Sequence, residues 1–296
     1  MQTPKIQIKA DSISSISNVR CTTFLIENFP YRLIQEIGTH RLLQCDSNFI
    51  DYNLIDNINP FTKDISRNSA STRAIPVNKI IEQIKNDPYI PTFTRNVPGM
   101  QGVCDLNEDD IKSLTSIYLN GMENALNTAR WMSELKAHKQ EINAILTPYL
   151  KIPILITATN YLNFFKLRCH ESAHPDFSCY AYKMKNLYDV SSPEILNEGE
   201  WHLPFYDKNL ENYKFLDLLK ICSSRNARLS YNNFDGNSDP QKDIELYNKL
   251  LSDPLHGSPF EHNLVVTDIH KDCGNFTGGW YTQRKLIELN DLDYYV

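Results

Sequence analysis

No run of lysines and arginines occurs anywhere in the 296 residues, and the formal net charge is −6. This argues against a binder of duplex nucleic acid, which needs a basic face against the phosphates. No Cys-x-x-Cys pair occurs among the seven cysteines, at positions 21, 45, 104, 169, 179, 222 and 273. An odd, scattered set reads as unpaired thiols in a reducing compartment, not as a disulfide framework. No apolar run approaches the length of a membrane span. The first sixteen residues are polar and lack the apolar core of a signal peptide. There is no internal repeat. What remains is a globular chain, 41% hydrophobic and 22% charged, long enough to bury a sizeable core.

Strand and helix signals alternate along it. "CTTFLIENF" (21–29) is rich in β-branched and aromatic residues and reads as a strand. "YRLIQEI" (31–37) reads as a short helix, with Leu33, Ile34 and Ile37 at helical spacing. Residues 44–65 are rich in Asn and Asp, carry Pro60 and show no period, so they read as an unusually long loop. A helix follows Pro76, with Val77, Ile80, Ile81 and Ile84 as its apolar stripe. A long helix is expected from Asn107 as cap, with Glu108, Asp109 and Asp110 at its positive end and Ile111, Leu114, Ile117 and Tyr118 as a core face. "TATNYLNFFKLRCH" reads as a helix capped by Thr157 or Thr159, and residues 191–207 as loop. Ser238 or Asp239, then Pro240, start another helix, and "NLVVTDI" reads as a strand.

His170–His174, "HESAH", fits the H-E-x-x-H zinc pattern, in which two histidines one helical turn apart bind the metal. Pro175 follows directly, and a residue before proline is pushed out of the helical region. His174 then leaves the face that His170 occupies, so the stretch reads as a helix end. Cys169, His170, His174 and Cys179 have poor chelate spacing, and no metal site is expected.

Three polar groupings could carry chemistry. His40 and Arg41, with the hydroxyl-rich block "SRNSASTR" (66–73), suit an anion held by backbone N–H groups, hydroxyls and arginines. Asn163 and Arg168 fall five apart, both near the end of one helix. His256, Ser258, Glu261 and His262 lie together in "HGSPFEH". Each also has a plain structural reading, as helix caps or solvated ends.

Together they resemble one family. "THRLL…SRNSASTR" is similar to the R-H-R-x-x-S-x-N-x-x-S-x-R signature of flavin-dependent thymidylate synthases, interrupted by residues 44–65. "NARLSY" followed by "HGSPFEH" resembles the family's A-R-x-S-[YF] and H-x-[ST]-P-F-E-H blocks, and "NYLNFFKLRCHESAHPDF" its later helix. The SPFEH block here follows the signature instead of preceding it. The chain therefore resembles a circularly permuted branch of the kind found in phages and viruses, a rearrangement tolerated when the same elements still pack together.

The resemblance implies an α+β fold, a mixed sheet with packed helices, in a single domain over residues 1–296. It implies methylation of dUMP at C5 to dTMP, with methylenetetrahydrofolate as carbon donor, reduced FAD as hydride source and NADPH to recharge it. Alternatives are a related C5 hydroxymethyltransferase for modified phage DNA, or a non-catalytic flavin or nucleotide binder. By position, His40, Arg41, Asn68, Asn163, His256, Ser258 and Glu261 fall on the flavin side. Ser71, Arg73 and Arg168 fall on the nucleotide side, Arg73 at the phosphate and Arg168 at the uracil carbonyls, with Ser71 and Arg168 as the catalytic pair. A homotetramer with FAD at subunit interfaces is implied, without nucleic acid or membrane, in the cytoplasm (the host's for a viral member). The chain departs from the family at Thr39 and Ala144, where arginines stand, at Ala74 for tyrosine and at His174 for glutamine. Lys63 and Arg67 are the candidates to restore the missing charge.

Overall fold

Side chains alternate across two long strands, and that alternation divides the protein into layers. The computed structural model describes residues 3–34, 37, 65–69, 75–98, 102–232, 236–252, 255–268, 276, 278–290 and 292. In β1 (Ile6–Ser14) and β2 (Arg20–Pro30) the chain forms an antiparallel ladder with a bulge between Ile8 and Ala10. The sheet runs in the order β3-β4-β2-β1-β5, with β3 (Ile65–Ser69), β4 (Lys151–Ala158) and β5 (Glu194–Leu196). Only the β1–β5 pairing is parallel, so the sheet is mixed.

One face of this sheet carries Phe24, Ile26, Ile154 and Ile156 into the largest apolar core. That face is covered by α1 (Val77–Asn86), α2 (Glu108–Glu134), α3 (Lys139–Leu146), α4 (Leu162–Arg168) and α5 (Pro175–Val190). Burying each of these large side chains contributes about 1.5–3 kcal/mol. The opposite face presents Thr23, Leu25, Leu155 and Thr157 to a second layer. That layer holds α6 (Phe215–Arg228), α7 (Pro240–Leu251) and α8 (Gln283–Leu289). It also holds a small sheet of β6 (Trp201–His202), β7 (Leu264–Val266) and β8 (Trp280–Thr282). The fold is α+β, as expected.

Local signals were reliable. Asn107 caps α2, its side chain accepting from Asp110 N, and Asp239 caps α7 with Pro240 at the first position. The segment after β2 turns helical, and Leu33, Ile34 and Ile37 are all buried. Ile80 and Ile84 are the buried stripe of α1.

Other expectations are corrected. Thr157 caps no helix: it lies in β4, whose run of Ile152, Ile154 and Ile156 packs on β2, and α4 instead starts with Asn160 Oδ1 accepting from Leu162 N. The stretch expected as loop after α5 contains β5 and β6, strands too short to carry a period of their own. The core face of α2 lies later than expected, at Met122, Leu126 and Ala129, and Ile117 is 67% exposed. A helix of 27 residues spans about 40 Å, and in its first half Tyr118 and Leu119 are only partly buried, Tyr118 packing on Phe93 and Tyr149. Among the described residues no helix is long and apolar enough to cross a membrane.

Candidate functional site

Two regions gather the chemistry-bearing side chains. The first lies where β3 meets the 3-10 turn Ser258–Glu261. Asn68, buried on β3, donates from Nδ2 to Asn226 O at 2.8 Å, and its Oδ1 accepts from Ser258 Oγ at 3.2 Å. Asn226 donates in turn to Pro259 O at 3.2 Å and to Asn263 Oδ1 at 2.8 Å. Asn263 continues to Ser223 and to Gln283, each at 3.0 Å. The "NAR" and "SPFEH" segments are thus fixed to each other and to β3 by neutral amides. Buried amides are held where their partners lie, so this network positions the turn, although Asn226 Oδ1 is buried without a partner among the described residues.

Glu261 lies in the same turn and pairs with Arg284 of α8 at 2.6 Å. Arg284 also bonds Glu288 at 2.8 Å and lies across Gly257, where a Cβ would meet its Nε at 2.8 Å. Arg284 carried no motif in the sequence and was missed; only its place in space brings it to the turn. His256 is exposed just before the turn, its backbone N–H held by Leu250 O at 2.9 Å. Arg228 of "NARLSY" is turned inward instead, sharing the buried Asp243 carboxylate with Arg225.

Arg67, beside Asn68 but on the opposite face of β3, sends its guanidinium to the carbonyl of Ile34. Half-buried, it loses hydration, which lowers its pKa. The second half of the interrupted signature therefore touches the helical segment that precedes the first half. His40, Arg41, Ser71 and Arg73 lie outside the described residues, as do Thr39, Lys63, Ala74 and all but the last residue of the 44–65 stretch.

The second region is a cleft of about 900 Å³ at the junction of α4 and α5. Thr92, Thr94, Arg168, Ser172, His174 and Pro175 are among its walls. Arg168, the last residue of α4, sits over the Phe177 ring at 4.9 Å, a cation–π contact that fixes the guanidinium. Asp176 ties the cleft's edge together, accepting from Tyr89 OH at 2.5 Å and from Thr92 Oγ1 at 2.5 Å. Burial and this bond push the Tyr89 phenol far above its usual range, so it remains a donor. Asn163 does not line the cleft among its described walls. It stands at the opposite end of α4 from Arg168, which corrects the expectation that both lie near one end. Ala144 is exposed on α3.

The HESAH stretch breaks between α4 and α5 as Pro175 requires. His174 has ψ 127, off the helix, and its Nδ1 accepts from Asp176 N as the cap of α5. His170 Nδ1 accepts from Ser172 N at 3.1 Å. Each imidazole caps its own backbone, and among the described residues no group of three potential ligands could hold a metal ion.

A third feature was only half visible in the sequence, which grouped His262 with the turn but gave no sign of His202. His202, in the stretch expected as loop, and His262, just after the turn, are both fully buried, and burial drives each pKa down to about 3. Both are neutral at neutral pH. Thr23 and Thr157 lie between them on the underside of the sheet.

Among solved structures, the chain is similar to a UMP/dUMP methylase, PolB, from Streptomyces cacaoi. With 5-Br UMP bound, the TM-score is 0.44 at 14% identity, covering 64% of this chain and 89% of that one. With 5-Br dUMP bound, it is 0.45 at 12%, covering 63% and 90%. No curated protein matches significantly. Assignment rests instead on a sequence profile, that of the thymidylate synthase complementing protein family, which matches residues 8–194. That span holds both parts of the interrupted signature, the Arg168 helix and the HESAH break, while the SPFEH turn lies beyond it. With well over half of its length matched, the chain belongs to the thymidylate synthase complementing protein family, the flavin-dependent thymidylate synthases.

Proposed function

We propose that the protein methylates dUMP at C5 to give dTMP, with methylenetetrahydrofolate as carbon donor and FAD, recharged by NADPH, as its flavin. The observation that carries this reading is the hydrogen bond from Ser258 to Asn68. It joins the C-terminal turn to the signature strand in one site, as a permuted member requires. The polar groups there suit part of a dinucleotide: the Asn68 amide has a second N–H beyond the one given to Asn226, the Ser258 oxygen keeps its lone pairs for a hydroxyl or N–H donor, and the Arg284 guanidinium, paired with Glu261 and Glu288, adds cationic charge beside the turn. When bound, FAD supplies the hydride that completes the methyl group.

The chain's own residues bind and orient. Asn68, Ser258, His256 and Glu261, with Asn163, His40 and Arg41, would hold the flavin. Arg168, braced on Phe177 at its cleft, would hold the uracil carbonyls and stabilise negative charge developing on the ring. Ser71 and Arg73 would take the phosphate side. Arg67 is half-buried and engaged with Ile34, so it is less available to replace a missing phosphate arginine than Lys63.

The reading takes residues 1–296 as one domain and as a homotetramer. Support for assembly comes from the apolar side chains that α2 and the residue after it leave in solvent: Ile117, Trp131 at 63% and Leu135 at 84% exposed. Large apolar side chains grouped on an exposed helix mark an interaction surface. The deciding experiment is the mass of the pyrimidine product after incubation with dUMP, methylenetetrahydrofolate, NADPH and FAD. Formation of dTMP is expected; unchanged dUMP from a flavin-loaded protein would overturn the reading.

A further inference from the structure

Two walls make the Arg168 cleft, and one turn of helix holds both. Arg168, Ser172, His174 and Pro175 belong to the first wall, with Phe177 under the Arg168 guanidinium at 4.9 Å. The second comes from one segment and includes Thr92, Thr94 and Gly102. Asp176, the residue before Phe177, reaches that segment and is buried, with 8% of its surface exposed. Its Oδ2 accepts from Tyr89 OH at 2.5 Å, and its Oδ1 from Thr92 Oγ1 at 2.5 Å. The Thr92 N–H is shared between the two oxygens, at 3.1 and 3.3 Å. A buried carboxylate is costly unless donors fill its oxygens, and here Tyr89 and Thr92 supply them.

The segment is braced on its other sides too. Arg95 and Val103 exchange two backbone hydrogen bonds, at 2.8 and 3.1 Å. At Gly102 a Cβ would fall 2.1 Å from Thr94 Oγ1, an approach that only glycine permits. Tyr89 N donates to Tyr149 O at 2.8 Å, and Phe93 packs against Tyr118 with ring centroids 6.0 Å apart. Thr92 is thus held in place, and the direction of its hydroxyl follows. A carboxylate only accepts, so the single hydroxyl proton of Thr92 points to Asp176. What the Thr92 oxygen has left for the cleft is lone pairs.

We propose that Thr92, set by Asp176, reads the pyrimidine base at N3 and selects uracil over cytosine. This rests on the assignment of the cleft to the nucleotide made above. Uracil presents two carbonyl oxygens with an N3–H between them. Cytosine has a bare lone pair at N3 and an amino group in place of one carbonyl. Arg168 carries only donors and suits a carbonyl, while Thr92, fixed as an acceptor, suits the N3–H beside it. Cytosine sets its N3 lone pair against those of Thr92, with no proton between them. A site built to bond one group rejects the analogue that lacks it. Asp176 acts through Thr92 and touches no substrate, so it is a positioning residue and Thr92 the specificity-determining one.

The test is titration calorimetry of the whole protein, with FAD added, against dUMP and dCMP at neutral pH. The wild type should prefer dUMP by about 100-fold or more. Asp176→Ala frees the Thr92 proton to turn into the cleft and meet a cytosine N3, so the preference should fall by about tenfold or more. Thr92→Val should lose the preference as well, and Thr92→Ser, which keeps the hydroxyl, should recover it. That pair decides the question if Asp176→Ala does not fold. A merely structural role would weaken both nucleotides alike and leave their ratio unchanged. A wild type without preference, or a preference that survives in Asp176→Ala or in Thr92→Val, would overturn the proposal. A wild type that prefers dUMP, and loses that preference in the variants, yet makes no dTMP would count against the proposed function alone.

Discussion

Ser258 donates to Asn68 across 190 residues of sequence, at 3.2 Å. The bond couples the turn to the strand, so the two side chains should not act independently on whatever the turn holds. Asn68→Ala and Ser258→Ala should each weaken FAD binding. In a double-mutant cycle read by flavin fluorescence, their effects should be non-additive by about 0.5–1.5 kcal/mol. Strict additivity would place the two residues in separate sites.

Arg168→Ala should weaken binding of dUMP and of free deoxyuridine alike, on the order of 10- to 100-fold for one lost charge-assisted bond. Titration calorimetry with both ligands checks this. A loss confined to dUMP would place the guanidinium at the phosphate instead of the base.

Because the two buried histidines have pKa values of about 3 in the folded protein, against about 6.5 in an unfolded chain, the unfolded state binds more protons between those values. Stability should therefore be full above pH ~6.5 and fall with acid toward pH ~3, by on the order of 1 kcal/mol per pH unit for each ring. Urea unfolding at several pH values checks this. Replacing His262 by Gln should flatten the slope by about one proton, and an unchanged slope would show that the ring is protonated in the fold.

His174→Ala should remove the cap of α5 at a cost of about 0.5–1 kcal/mol, with no change in metal content. Metal analysis and thermal unfolding of the same samples separate the two roles. One zinc per chain, lost with His170→Ala and His174→Ala together, would contradict the break at Pro175.

What could be read from the sequence was local. A cap such as Asn107 or Asp239 acts on its own helix within three residues, so its chemistry is visible in a short window. The break that Pro175 makes after His174 is likewise legible from a single residue. What escaped depends on partners far along the chain. β6 is two residues long and exists because β7 pairs with it. Arg284 matters because Gly257 leaves room for it beside Glu261. Ile111 and Ile117 have the spacing of a core face, but no layer reaches them, and periodicity reports a stripe without saying what covers it. The resemblance did group Asn68 with Ser258, two residues that a hydrogen bond joins across the fold, because a family resemblance carries long-range information that spacing lacks.

The order of these segments along the chain also sets a schedule for its synthesis. Asn68 leaves the ribosome long before Ser258, and at 5–20 residues per second the interval is roughly 10–40 s. The helices that cover one side of the main sheet come within the first two-thirds of synthesis, so that side can close early. The other side, with Leu25, Leu155 and the Thr23–Thr157 pair, must wait for α6 and the strands after it. A nascent chain stalled before residue 215 should thus expose a half-covered sheet, and ligand binding should appear only as the last segment docks.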